Sequence, residues 1–242
     1  MKVYGGAPMY GAAIGILLLD GGIPRIPGDV GNAETFPFPV HYKVVRNVDI
    51  QNVRRGLTQE QIGQFCAAAE ELERDGCRAI TTSCGFLGAY QQQIAASVRI
   101  PVYTSSLLQA AWVASVLPEG KKIGVIASDR ANVTPALLDA LKIGHLPLVV
   151  AGLDGSPSFA GMHNEHILEP DALRGETLHA VRELLRKEPD VGAIILECTN
   201  LPPYAADIQQ ECGLPVFDII TMTHYLYHAV VQSGYPVPGS RL

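Results

Sequence analysis

Two cysteines in this chain stand in matching places. Cys84, in TTSCGF, follows an apolar run that starts at Cys77, and Cys198, in LECTNLPPY, follows the run Val191 to Leu196; each precedes a segment that reads as the start of a helix. In an α/β unit the carboxyl end of a strand is where ligands bind, and the helix beginning there offers free N–H groups and the positive end of a dipole. A thiol so placed ionises more readily, its pKa falling from about 8.5 toward neutrality. Two such thiols facing each other across a cleft suit the inversion of a carbon centre. One takes a proton from one face, the other delivers a proton to the opposite face, and the roles exchange in reverse. On this reading at least one of the pair is partly ionised near neutral pH, and both are alkylated before Cys66, Cys77 and Cys212, which read as small core residues.

The match between the two settings extends well beyond the cysteines. The offset that aligns Cys84 with Cys198 also aligns Ala79 with Ala193, Ile80 with Ile194, Tyr90 with Tyr204 and Ile94 with Ile208. It places Ile100-Pro101-Val102-Tyr103 on Leu214-Pro215-Val216-Phe217, and at a slightly different shift Ile14-Gly15-Ile16-Leu17 echoes Ile123-Gly124-Val125-Ile126. A shared Cys, Tyr and Pro at fixed offsets indicates an internal duplication.

The elements that must position the thiols alternate between strand and helix. Short apolar runs at Ala13 to Leu19, Cys77 to Ser83, Val102 to Thr104, Ile123 to Ala127, Leu148 to Ala151 and Val191 to Leu196 read as buried strands. Thr58 with Gln61 makes a capping box ahead of Ile62, Phe65, Ala69 and Leu72 at helical spacing, ending at Gly76. Phe86 to Ser97, Leu107 to Val116, Thr134 to Leu141 and Ala172 to Lys187 also read as helices, and residues 20–39 are too rich in Gly and Pro for regular structure. The pattern predicts an α/β fold of two pseudo-symmetric lobes, each a parallel sheet flanked by helices, with the active-site cleft between them. Residues 1–117 form the lobe with Cys84 and 118–242 the lobe with Cys198; Pro118-Glu119-Gly120 reads as the hinge, and a last helix at about 218–232 packs back on the first lobe.

Bulk properties exclude several classes. A net charge of -6, with no basic run longer than Arg54-Arg55 or Lys121-Lys122, does not suit nucleic acid. The apolar run near the start stops at Asp20 without a cleavage site and is too short to span a bilayer. Five cysteines without a CxxC pair do not make a disulfide framework, so a reducing, cytoplasmic setting is expected. His163 and His166 with Glu165 and Glu169, or His224 with His228, lack a third ligand placed by spacing, so no metal is expected.

LECTNLPPY resembles the Leu-Gly-Cys-Thr-x-x-Pro signature around the second catalytic cysteine of the aspartate/glutamate/hydantoin racemase superfamily. The resemblance implies two pseudo-symmetric α/β lobes, no cofactor, and an isomerase: a racemase or epimerase of an amino acid, a related small carboxylate or a hydantoin. Carried over, Cys198 is one acid/base and Thr199 holds the substrate carboxylate; through the internal repeat Cys84 is the other acid/base. The chain departs from the pattern of the amino-acid racemases. It reads Cys84-Gly85-Phe86 where they carry Cys-Asn-Thr, and Asn200 where His or Glu follows the Thr. These changes put glutamate and aspartate in doubt as substrates, and Phe86 implies a less polar pocket. By position, Asp20, Ser83, Ser128 and Asn132 are further substrate contacts, and Arg25 and Asn32 of the Gly-rich loop are placed to meet an anion. The partner is then a small carboxylate, with a homo-oligomer allowed. Two other readings remain: a cysteine-dependent cis-trans isomerase or decarboxylase of a small diacid in the same superfamily, and a non-catalytic small-anion binding protein.

Overall fold

The computed structural model of the protein describes residues 2, 5–6 and 8–235. Strand β1 (Ile14–Leu19) is followed by β2 (Val40–Val45), α1 (Ile50–Arg55), α2 (Gln59–Arg74), β3 (Ala79–Thr82), α3 (Gln91–Ala96), β4 (Val102–Tyr103) and α4 (Ala110–Val116). The second half runs through β5 (Lys122–Ala127), α5 (Pro135–Ala140), β6 (Leu148–Gly152), α6 (Pro157–Asn164), α7 (Pro170–Lys187), β7 (Val191–Leu196), α8 (Ala205–Cys212), β8 (Val216–Phe217) and α9 (Ile219–Val230). The strands form two four-stranded parallel sheets ordered β2-β1-β3-β4 and β6-β5-β7-β8, so the fold is α/β with two lobes.

The sequence repeat reappears as strand register. β3 and β4 pair Ile80 with Val102, and β7 and β8 pair Ile194 with Val216, the very residues that the repeat aligns. β1 meets β3 at Ile14 and Ala79, as β5 meets β7 at Ile123 and Ala193. Gly15 and Gly124 also match. A Cβ on Gly15 would overlap Leu72 of α2, and one on Gly124 would overlap Leu184 of α7. Each lobe therefore lays its long helix close against its central strand by leaving one side chain out.

Helix α2 carries the expected capping box, with the Thr58 hydroxyl accepting from the Gln61 amide, and buries Ile62, Phe65, Ala69 and Leu72. Several elements differ from the sequence reading. Cys84 opens a 3-10 turn, Gly85–Tyr90, before α3, and a 3-10 turn Pro202–Tyr204 precedes α8; neither thiol sits at the mouth of a full α-helix. The half-exposed strand β2 and the short helices α1 and α6 fall in stretches without a clean period, although Asp49 and Ser156 cap the two helices. Pro118–Gly120 is a tight turn into β5, closed by the Lys121 amide on the Pro118 carbonyl.

The lobes share apolar interior. One cluster runs from Leu17 and Ile80 through Leu87 and Leu137 to Ile123 and Ala193, crossing from the first sheet to the second. After β8 the chain returns: α9, started by a capping box of Asp218 and Thr221, buries Ile219, Met222 and Leu226 against Ile14, Ile16 and Ala79 of the first sheet. Among the described residues, no helix is long and apolar enough to cross a membrane.

Candidate active site

The carboxyl ends of β1, β3, β5 and β7 open into one cleft of about 520 Å³ lined by both cysteines. Reciprocal hydrogen bonds clamp the lobes around it. Thr199 donates its hydroxyl to the Ser83 carbonyl at 2.6 Å, and Ser106 donates to the Leu196 carbonyl at 2.6 Å. The turn that carries Cys84 is fixed from below, where the Thr82 hydroxyl reaches the Thr104 carbonyl at 2.7 Å and the Ser83 Oγ accepts from the Leu19 amide at 3.1 Å. Thr199 lines the cleft, with its hydroxyl proton given to the bond between lobes.

Cys198 leans on Asn200, its Sγ lying 3.7 Å from Oδ1, while the Asn200 amide donates to Asp29 at 2.6 Å. Asp29 is almost fully buried and also accepts from Arg25 at 2.7 Å and from the Gly31 amide at 2.7 Å. The Gly-rich loop thus folds onto the second thiol, with Asp29 as its anchor. Arg25 lines the cleft but its charge is taken by Asp29. Asn32 is internal to the loop, accepting from the Glu34 amide and donating to the Arg25 carbonyl, and it does not line the cleft. Asn132 is also outside, bonded to Asp129 in a turn beyond Ser128. Asp20 lines the rim, where its carboxylate is turned to Arg46 and the Asn47 amide, not to a thiol. Ser83, Gly85, Phe86, Ser128 and Asn200 line the cleft as the sequence placed them.

Three charged or titratable groups that enter the cleft beside the cysteines, Glu197, Arg54 and His163, were not assigned from sequence. Glu197, immediately before Cys198, is 1% exposed, and neither carboxyl oxygen has a hydrogen-bond partner. It packs against Gly85, where a Cβ would overlap both its Oε1 and its backbone carbonyl, so Gly85 is the one residue that fits. Arg54, in the last turn of α1, reaches the cleft with a buried Nε that has no partner. His163 enters from α6, beside Phe159. Glu197 was legible in principle, since a charged residue closing an apolar strand is a signal in itself. Arg54 carried no such sign, because its direction depends on how a six-residue helix docks.

The electrostatics run against easy ionisation. Burial, then the charge of Glu197, push the Cys84 thiol up to about 12, although the Phe86 and Leu87 amides and Arg54 oppose this. Burial and Glu197 likewise raise Cys198 well above its ordinary value, with Cys84 and Asp29 adding to the rise. Burial lifts Glu197 to about 8, against partial compensation from Arg54 and from the Ser128 amide, which approaches the carboxyl without completing a hydrogen bond. Burial, with Arg54 and Arg25 nearby, lowers His163 to about 4 and keeps it neutral. The expectation of a partly ionised thiol at a helix N-terminus is thus corrected: short 3-10 turns supply little dipole, and desolvation wins. Since only the thiolate is alkylated, iodoacetamide near neutral pH is expected to label the less buried Cys66 and Cys212 before Cys84 and Cys198. Labelling of the pair should climb only in strongly alkaline solution, and peptide mapping that finds either one modified first at neutral pH would contradict the burial argument.

The described residues hold no group of three or more His, Cys, Asp or Glu placed to bind a metal ion. The arrangement brings two thiols, a buried carboxyl group and a guanidinium with an unpartnered nitrogen to one cleft.

Comparison with known proteins places this geometry in context. The profile of the Asp/Glu/Hydantoin racemase family matches residues 105–224. A dimethylsulfoniopropionate lyase of Durusdinium sp. clade D is 26% identical over 229 residues, spanning 92% of this chain and 76% of that protein. Dimethylsulfoniopropionate lyase 7 of Emiliania huxleyi (strain CCMP1516) is 27% identical over 232 residues, 91% of this chain and 68% of that protein. Among solved structures, unliganded arylmalonate decarboxylase superposes with a TM-score of 0.58 at 13% identity, over 94% of this chain and 96% of that one. The aspartate racemase of Picrophilus torridus also gives 0.58, at 14% identity over 91% and 94%. At such identity the structural likeness speaks for the fold. The lyase relatives overturn the expectation of an isomerase: two matched thiols fit a racemase, but the relatives at 26% and 27% identity are dimethylsulfoniopropionate lyases.

Proposed function

The chain belongs to the aspartate/glutamate/hydantoin racemase superfamily, and from that premise we propose that it is a lyase cleaving the carbon–sulfur bond of dimethylsulfoniopropionate or a close analogue. The observation that carries this reading is the cleft itself. Two buried thiols share it with one guanidinium that has an unpartnered nitrogen and with two aromatic rings, Phe86 and Phe159.

The substrate is a propionate with a sulfonium on its β-carbon. Its carboxylate fits Arg54, the kind of group a guanidinium holds through two parallel hydrogen bonds. Its cationic end fits beside the aromatic faces. A thiolate removes a proton from the α-carbon, the C–H electrons become the new carbon–carbon double bond, and the C–S bond breaks with its pair leaving on sulfur. The products are acrylate, dimethyl sulfide and a proton, which passes from the thiol to solvent to reset the base. The raised thiols do not block this chemistry, because a sulfonium entering a desolvated cleft favours the nearby thiolate over the thiol. The base is then formed with the substrate in place.

Purified protein incubated with dimethylsulfoniopropionate is expected to release dimethyl sulfide and acrylate in equal amounts, read by headspace gas chromatography and by liquid chromatography. Release no faster than in a protein-free control would sink the proposal.

A further inference from the structure

Resting on the lyase reading, we infer that Glu197 is a specificity-determining residue that selects an onium centre, a sulfonium or quaternary ammonium without N–H, at the end of the substrate opposite its carboxylate. A carboxyl group buried to 1% exposure with no hydrogen-bond partner is a costly thing to keep. The fold nevertheless makes room for it, since Gly85 has to lack a side chain where Glu197 packs. The groups acting on it are Cys84 from the turn after β3, Cys198 beside it in the chain, the Ser128 amide at the end of β5, and Arg54 from α1. Arg54 is the one cation of that set and makes no hydrogen bond to it.

A charge with no donor hydrogens is the counterpart such a carboxyl lacks. An onium centre cannot hydrogen-bond, so it is recognised by opposite charge at short range in a dry site and by apolar or aromatic walls. Phe86 and Phe159 supply those walls. Because burial holds Glu197 at about 8, an onium arriving near neutral pH displaces its proton to solvent. Preference for the cation therefore strengthens as the pH rises through that value and Glu197 ionises unaided.

The test compares 3-(trimethylammonio)propionate with 4,4-dimethylpentanoate, the same shape with carbon in place of nitrogen, by isothermal titration calorimetry. The wild-type protein is expected to bind the ammonium compound at least about tenfold more tightly, and Glu197→Gln to reduce that preference to about threefold or less while still binding the carbon isostere. In the wild type the preference should grow roughly tenfold between about pH 6.5 and about pH 9, a readout that does not depend on the variant folding. An unchanged preference in Glu197→Gln, no preference in the wild type, or a flat pH dependence would overturn the inference. Dimethyl sulfide release is scored separately. Lyase activity with an unaltered preference in the variant defeats the role of Glu197 alone, and a Glu197-dependent preference without lyase activity defeats the reaction alone.

Discussion

Cys84→Ser and Cys198→Ser are each expected to release dimethyl sulfide at least about 10²-fold more slowly than the wild type. The loss of a general base has this size or more, and so has the loss of a donor aimed at developing charge. Both costs arise in this cleft. The thiols are close enough for a charge on one to oppose ionisation of the other. On the lyase reading, one therefore works as the thiolate that takes the α-proton, while its neighbour keeps its proton and hydrogen-bonds the substrate carboxylate, whose charge grows as that proton departs. A serine hydroxyl is too weak an acid to become the base, and its shorter reach spoils the donor. The two variants separate in a partial reaction. With 3-(trimethylammonio)propionate in deuterated water, the variant that retains the base still exchanges the α-hydrogen slowly, and the one that has lost it does not. Either variant eliminating within tenfold of the wild type would remove that cysteine from the mechanism.

The sequence exposes the parts of this site that local pattern controls. β1, β3, β5 and β7 are buried apolar runs, and the repeat that aligns Ile80 with Ile194 is the register of both sheets. That alone brings Cys84 and Cys198 to strand ends in one cleft. What pattern cannot show is which polar group a loop turns inward. Asn32 and Asp29 lie three positions apart in the same Gly-rich stretch, yet Asp29 faces Asn200 and Arg25 while Asn32 ties the loop to itself. Protonation is equally hidden, because it follows total burial. Cys84 and Cys198 are placed as expected, but desolvation beside Glu197 reverses the expected direction of their shift. The reaction type is the least legible of all. Proton abstraction next to a carboxylate begins an inversion and an elimination alike, and the outcome depends on what stands on the β-carbon.

Arg54 gives the sharpest separation between binding and fold. Arg54→Gln is expected to lower kcat/KM for dimethylsulfoniopropionate by about 10²-fold, mostly through KM, as when one partner of a desolvated charge pair is removed. Of the two guanidinium groups in the cleft, Arg25 is already bound by Asp29, whereas the Nε of Arg54 is buried without a partner. On the lyase reading, a substrate carboxylate is the group that completes it. Arg54→Lys keeps the charge but loses the planar fork, so it should fall between, at a loss of about tenfold. Stability should respond differently. Since the buried Nε has no bond to lose, replacing it removes a cost, and the melting temperature of Arg54→Gln should be unchanged or raised. A fall in melting temperature with KM unaltered would make Arg54 a packing residue of α1, and the carboxylate would have to be held by backbone amides at the ends of β5 and β7.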